Sequence, residues 1–104
     1  MQVVFHVDEM SKWDLLLANV TNFLREEGEA TIEVVAYAEA VNYYIGDQSL
    51  PENLIDLVDF VACANALGAW KVEPQQLPDF VRVVPSGVVE IARKQLEGYA
   101  YIRP

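Results

Sequence analysis

The sequence predicts an α/β fold in which a mostly parallel sheet carries helices on both faces. Short β-branched runs alternate with helical patterns five times along the chain, which is typical of βαβ units. Four of the runs (VVFHV, EVVAY, DFVAC and FVRVV) are almost continuously apolar, as expected for strands buried on both faces. With 104 residues, the chain has the length of a single domain over residues 1–104.

The first part of the chain predicts a strand followed by a long amphipathic helix. Residues 2–7, QVVFHV, are rich in β-branched side chains and predict the first strand. Apolar residues then recur at helical spacing over 12–27. Ser11 is the expected N-cap, Asp14 places a carboxylate in the first turn, and Gly28 is a typical helix end.

The central part predicts two further strands separated by short helices. Residues 32–37, IEVVAY, predict the second strand, and the apolar, aromatic segment 39–46 predicts a short helix. Pro51 is expected to open another short helix, since proline is tolerated in a first turn. Residues 59–63, DFVAC, predict the third strand, and a helical segment follows over 64–70.

The last part predicts two strands joined by a helix. Residues 74–78 form a turn-rich connection with room for one helical turn, and 80–84, FVRVV, predict the fourth strand. A second well-patterned helix begins near Val88 and ends at Gly98. Residues 99–103, YAYIR, predict the fifth strand.

Composition excludes several classes of protein. The formal net charge is -9, and an acidic surface disfavours binding to nucleic acid or to anionic membranes. No apolar run approaches the roughly 20 residues of a membrane span, and the N-terminus lacks the pattern of a signal peptide. The single cysteine cannot form an internal disulfide. We therefore expect a cytoplasmic protein without a membrane or nucleic-acid partner.

Two features bear on self-association. Residues 82–104 carry a net charge of +2, so the first 81 residues carry -11. This is either an accidental spread of solvated charge or the basis of head-to-tail assembly. Several aromatic side chains belong either to the core or to a subunit interface, where Tyr and Trp are enriched. They are Tyr43, Tyr44, Trp70, Tyr99 and Tyr101.

The residue inventory argues against common cofactors and metals. One His and one Cys cannot supply the usual ligands of a zinc site within a single chain. There is no Walker A sequence, no GxGxxG and no nucleophile elbow that would serve with His6. The first strand-to-helix loop has no glycine and places Asp8 and Glu9 where a flavin phosphate would bind. We expect neither a cofactor nor a metal.

Potentially reactive side chains fall at the predicted carboxyl ends of the strands, where open α/β sheets bind ligands. The candidate ligand-binding residues at this edge are His6, Asp8, Tyr37, Glu39 and Ser86. Since polar residues generally lie in loops, the clustering alone is a weak signal.

Cys63 is the candidate catalytic residue. It ends the third strand and precedes a helical segment, so its thiol faces unpaired backbone N–H groups that stabilise a thiolate. Asn65 and the backbone of 64–66 are candidate donors to that anion. The alternative is that Cys63 is a small buried hydrophobic residue at a strand end.

His6 is the obvious base to consider for Cys63, but the expected geometry separates them. If the second strand lies between the first and third, their backbones are two strand spacings apart, about 9–10 Å. That exceeds hydrogen-bond reach. His6 is then either a group that serves a ligand or a neighbouring subunit, or a satisfied histidine at a strand end.

The sequence also resembles the DsrE/DsrF-like (YchN-like) family over almost its whole length. The resemblance is carried by VVFHVDE, LANVTNFL, EVVAYAEAV, DFVACANAL and the tail VRVVPSGVVEIARKQLEGYAYIRP. It implies a three-layer α/β/α fold with a five-stranded parallel sheet, commonly in trimers or hexamers. In members of this family that transfer sulfur, a cysteine after the third strand carries it as a persulfide, and Cys63 matches that position.

Two hypotheses follow. In the first, the protein is a sulfur carrier that takes sulfane sulfur from a donor protein or passes it to an acceptor protein through Cys63. In the second, it is a non-catalytic homo-oligomeric module that binds a small ligand or a protein, and Cys63 is structural. A reactive, exposed thiol favours the first hypothesis, and an inert, buried thiol favours the second.

Overall fold

The computed structural model describes residues 1–47 and 50–104 and contains a five-stranded, entirely parallel sheet. The order of the strands is β4-β3-β2-β1-β5. The strands are β1 (Gln2–Val7), β2 (Thr31–Ala36), β3 (Val58–Cys63), β4 (Val81–Val84) and β5 (Ala100–Ile102). The chain therefore moves in one direction from β1 to β4 and then returns to place β5 on the other side of β1.

Helices follow each of the first four strands, as the sequence predicts. The α-helices are α1 (Trp13–Glu26), α2 (Glu52–Leu57), α3 (Ala64–Ala69) and α4 (Gly87–Leu96). Three segments are 3-10 helices: Met10–Lys12, Ala38–Ile45 and Pro74–Gln76. The predicted elements are confirmed in type and order, and their ends shift by one or two residues.

The start of α1 differs from the prediction. Ser11 lies inside a 3-10 turn, and Lys12 occupies the N-cap position without a side-chain hydrogen bond to the helix. The 3-10 turn supplies the first backbone bond instead, because the Lys12 N–H donates to the Glu9 carbonyl at 3.1 Å. The prediction of Ser11 as N-cap was therefore wrong, whereas Asp14 does lie in the first turn.

The larger part of the core lies on the face of the sheet covered by α1, α2, α3 and the 3-10 helix over Ala38–Ile45. Trp13 is fully buried there and donates from Nε1 to the Ala40 carbonyl at 3.0 Å. The Tyr43 ring stacks on Trp13 at 4.4 Å, and the Tyr44 hydroxyl donates to the Val61 carbonyl at 3.0 Å. These two tyrosines therefore belong to the core of the protomer.

The opposite face, which we call the α4 face, is covered by α4. A smaller apolar cluster holds the helix to the sheet; its members are Val4, Val35, Val61, Val84 and Ile91. Helices on both faces give the three-layer α/β/α architecture. The prediction that 80–84 is buried on both faces was wrong, because β4 is an edge strand and both Arg82 and Val83 are exposed.

Within residues 1–47 and 50–104, no helix is long and apolar enough to cross a membrane.

A buried carboxyl lies on the α4 face near the amino ends of the strands. The Glu33 side chain is 3% exposed and accepts a hydrogen bond from Arg82 Nη2 at 3.1 Å. Arg82 also pairs with Asp59 at 2.8 Å and with Glu90 at 3.2 Å, and Lys94 Nζ lies 3.8 Å from Glu33. Burial, and to a lesser degree the neighbouring Glu90 carboxyl group, raise the pKa of Glu33 to about 8.

Protonation of Glu33 also satisfies its second oxygen. Among the described residues, Glu33 Oε2 has no partner that can donate to it. A protonated Glu33 becomes a donor to Glu90, and this hydrogen bond is the main cause that lowers the pKa of Glu90. The two carboxyl groups therefore share one proton at neutral pH.

The shared proton makes stability depend on pH. Because the pKa of Glu33 rises from 4.5 unfolded to about 8 folded, its contribution is complete below about 4.5 and is lost as pH rises through 8. We expect Glu33→Gln, which stays neutral, to remove up to about 1.4 kcal/mol per pH unit from the slope of unfolding free energy between pH 5 and 8. Urea unfolding across that range measures the slope. Glu97→Gln, at an exposed position, is the control, and parallel curves for wild type and Glu33→Gln would contradict the assignment.

Close packing at the start of α4 gives a second prediction. A methyl group added at Gly87 would lie 3.1 Å from Tyr37 Cβ, 3.2 Å from Cys63 Cβ and 3.4 Å from Val35 Cγ1. Because two of these atoms are fixed by the backbone of the sheet, we expect Gly87→Ala to lower the free energy of unfolding by about 1–3 kcal/mol.

Gly68→Ala is the matched control, since among residues 1–47 and 50–104 no atom beyond the adjoining helix backbone lies within 4 Å of the methyl group that it adds in α3. It should leave stability unchanged or raise it by up to about 1 kcal/mol through helix propensity. Urea unfolding of both variants tests the pair, and equal effects would refute the close contact.

Candidate functional site

The parallel sheet brings the carboxyl ends of all strands to one edge, and alternation along each strand decides which side chains share a face. His6 pairs with Val35, and Cys63 pairs with Val84. Tyr37 continues β2, because its N–H donates to the Val7 carbonyl at 3.1 Å. His6, Tyr37 and Cys63 therefore lie on the α4 face of three adjacent strands in a staggered row, in which Tyr37 and Cys63 are level and His6 is two residues nearer the amino ends.

Cys63 is the last residue of β3 and the N-cap of α3. Cys63 is 5% exposed, and its Cβ lies beside Gly87, the first residue of α4. The amino ends of two helices thus approach this thiol. α3 has only six residues and therefore a small dipole, whereas α4 has ten.

His6 lies at the centre of an aromatic cluster. Its Nδ1 is 2.6 Å from the Tyr101 hydroxyl, and its ring meets the Tyr37 ring edge-on with centroids 4.5 Å apart. Burial lowers the pKa of His6, and the nearby Asp8 carboxylate partly offsets this effect. The residue is 7% exposed, and Nε2 has no hydrogen-bond partner within the described part of the chain.

Asp8 and Arg103 form an ion pair next to this cluster. Arg103 Nη2 donates to Asp8 Oδ2 at 2.8 Å. The pair joins the residue after β1 to the residue after β5, on the same face as His6 and Tyr101. It closes the carboxyl edge at the β1–β5 side of the sheet.

Three of the predicted site residues lie apart from this row. Glu39 accepts a hydrogen bond from the Met10 N–H at 3.3 Å and connects two 3-10 helices. Ser86 is the N-cap of α4, and its hydroxyl accepts from the Val89 N–H at 3.5 Å. Asn65 is exposed on α3. The structure gives Glu39 and Ser86 local structural contacts.

Sequence reasoning did not include Tyr101 and Arg103 in the site. Both lie on or directly after β5, two residues apart, so alternation places them on one face. The alternation in YAYIR indicates that Tyr101 and Arg103 share a face. It places them beside His6 only once β5 is known to pair with β1. The remaining aromatic residues that the sequence left open differ in their burial. Tyr99 and Tyr101 lie on the α4 face, while Trp70, which follows α3, is 50% exposed.

The strand order confirms the expected separation of His6 from Cys63. β2 lies between β1 and β3, and His6 is two residues nearer the amino ends than Cys63, so their Cα atoms are about 12 Å apart. His6 is therefore too far away to take a proton from Cys63 directly. Over residues 1–47 and 50–104, no three His, Cys, Asp or Glu side chains are grouped closely enough to hold a metal ion.

Comparison with known proteins assigns the chain to a family. The profile of the DsrE/DsrF-like family matches residues 2–104. The search of curated proteins gives no match. A solved structure of a protein of unknown function, MTH1491 from Methanobacterium thermoautotrophicum, has a TM-score of 0.90 and 41% identity and covers 99% of this chain and 98% of that one.

Two more distant structures share the fold. The YchN protein from E. coli has a TM-score of 0.73 and 17% identity, with 100% of both chains covered. A conserved protein of unknown function from Bacteroides thetaiotaomicron has a TM-score of 0.74 and 11% identity, with 99% of this chain and 94% of that chain covered. The match over residues 2–104 shows that this chain belongs to the DsrE/DsrF-like family.

Proposed function

We propose that the protein is a sulfur carrier that holds sulfane sulfur as a persulfide on Cys63. The family is generally linked to sulfur relay, and Cys63, the last residue of β3, matches the position at which the resemblance implies a sulfur-carrying cysteine. The observation that carries the proposal is the place of the thiol, which lies where the end of β3 meets the first residues of α3 and α4.

The transfer requires no external oxidant or reductant. The Cys63 thiolate attacks the outer sulfur of a donor persulfide, a new S–S bond forms, and the donor leaves as a thiolate. In the second half, an acceptor thiolate attacks the outer sulfur on Cys63. The S–S bond to Cys63 then breaks, and Cys63 returns to the thiolate.

The helix ends contribute to both anionic states. The N–H groups of Gly87 and Val88, the first two residues of α4, have no carbonyl partner within the helix. The N–H of Val89, the third residue, is capped by Ser86. With the helix dipole, such groups favour negative charge nearby, and Gly87 permits the closest approach of this helix to Cys63. A thiolate and a persulfide anion both gain from this placement.

The burial of Cys63 favours a second candidate function. A thiol that is 5% exposed in the protomer is shielded from solvent, as expected for a structural residue in a module that binds a ligand or a protein. For the carrier, the same burial protects the persulfide from unintended thiols but requires donor and acceptor to approach from the carboxyl edge.

We also propose that the protein acts in the cytoplasm as a homo-oligomer, a trimer or a hexamer. The exposed Trp70 supports self-association, since Trp is enriched at interfaces. The charge contrast adds little, because Arg82, Lys94 and Arg103 pair with carboxylates of the same protomer. A sulfur donor or acceptor protein is the expected external partner.

Mass spectrometry of the intact protein separates the two candidate functions. After incubation with inorganic polysulfide, we expect the wild type to gain the mass of one sulfur atom and to lose it again on treatment with dithiothreitol. Cys63→Ser, which replaces the sulfur by oxygen with little change in shape, should gain nothing. If Cys63 stays unmodified while a free thiol in the same tube reacts, the carrier proposal fails and the binding module is favoured.

A further inference from the structure

A buried hydrogen-bond donor without a partner lies at the carboxyl edge two strands away from Cys63. The short contact between Tyr101 and His6 Nδ1 is best formed with the phenol O–H donating, since the phenol is the stronger acid. The ring hydrogen of the neutral His6 then resides on Nε2. His6 is 93% buried, and within residues 1–47 and 50–104 no atom accepts from Nε2. Buried donors in native proteins normally have an acceptor.

The orientation of the ring directs this donor away from β5. The two nitrogens of an imidazole point in widely diverging directions, and Nδ1 faces Tyr101 on β5. Nε2 therefore faces away from β5, toward the side on which Tyr37 and then Cys63 follow on β2 and β3. An acceptor on this side would satisfy Nε2.

A cation lies close to the same place. Arg103 is about half-exposed and is held by Asp8, so its guanidinium is fixed at the carboxyl edge while part of it still faces solvent. It lies near enough to His6 to lower the pKa of the imidazole. A neutral N–H donor and a guanidinium together fit a carboxylate, which accepts hydrogen bonds from both.

We propose that this edge binds a low-molecular-weight thiol that carries a carboxylate. The carboxylate accepts from His6 Nε2 and lies beside Arg103, while the ligand crosses Tyr37 and presents its sulfur to Cys63. The inference rests on the proposed carrier function and names the class of its small-molecule sulfur donor or acceptor. As its persulfide, the ligand gives its outer sulfur to the Cys63 thiolate and leaves as a thiolate.

The spacing of the strands sets the length of the ligand. His6 and Cys63 stand two strand spacings apart across the sheet and two residues apart along it, about 12 Å in all. A hydrogen bond to Nε2 and an S–S bond to Cys63 take up about 5 Å of this distance, and an extended peptide covers about 3.5 Å per residue. A ligand whose carboxylate is about two residue lengths from its sulfur spans this gap, as in a cysteinyl-glycine unit. Free cysteine is too short. Nε2 is closed to solvent in the protomer, so the half-buried Tyr37 ring, which packs edge-on against His6, must turn aside for the carboxylate to reach it.

Reduced glutathione is the probe, and its glycine monoethyl ester, which lacks the carboxylate next to the cysteine, is the matched ligand. Calorimetry with the full chain should show binding of glutathione to wild type and to Cys63→Ser with equal affinity. The ester should bind at least tenfold more weakly, as expected when a charge-assisted hydrogen bond is lost. The ¹⁵N resonance of His6 Nε2 should shift with glutathione and not with the ester.

Two variants test the residues. His6→Gln should weaken glutathione binding at least tenfold, and Arg103→Gln should weaken it several-fold, whereas Arg93→Gln at an exposed position on α4 should not change it. The ¹⁵N shift in the wild type keeps the test valid if His6→Gln does not fold.

The inference is overturned if glutathione does not bind, if the ester binds equally well, or if the Nε2 resonance does not move. These results leave the carrier proposal intact, provided that polysulfide still loads Cys63. Conversely, carboxylate-dependent binding to a protein whose Cys63 stays inert toward polysulfide would support the ligand site and refute the carrier function.

Discussion

The site depends on the close approach of α4 to the sheet at Gly87. Three atoms of the sheet lie within 3.4 Å of the place where a side chain would begin, and two of them are the Cβ atoms of Tyr37 and Cys63. Only a residue without a side chain allows this distance. The contact sets the distance of the helix from β2 and β3, and it brings the first N–H groups of α4, which have no carbonyl partner within the helix, toward the thiol.

The same helix separates two kinds of polar group. Near the amino ends of the strands, α4 supplies Glu90 and Lys94 to the buried Glu33 and Arg82. Those charges compensate one another, and the proton on Glu33 completes the network. At the other end of α4, the buried His6 is neutral, and its Nε2 is left without an acceptor in the described chain. Charges that are already paired contribute to stability, whereas a buried donor without an acceptor is available to bind a ligand.

The sequence predicted the type and order of the elements because apolar periodicity survives in a small domain with a continuous core. It also placed Cys63 and His6 at the carboxyl edge. It did not predict that Tyr101 and Arg103 join them, since that depends on β5 pairing with β1 rather than with β4. Nor did it predict the 3-10 start of α1, where Ser11 is a possible cap but the backbone adopts a tighter turn.

The position of β5 also explains why a ligand would bind here and not elsewhere along the edge. β2, which follows β1 in the chain, lies on one side of β1, and β5 lies on the other side. The connection that leaves the carboxyl end of β1 therefore runs away from β5. Open α/β sheets bind ligands at such reversals of strand order. The reversal of strand order between β1 and β5, the donor without an acceptor on β1 and the thiol two strands away therefore follow from one topological choice.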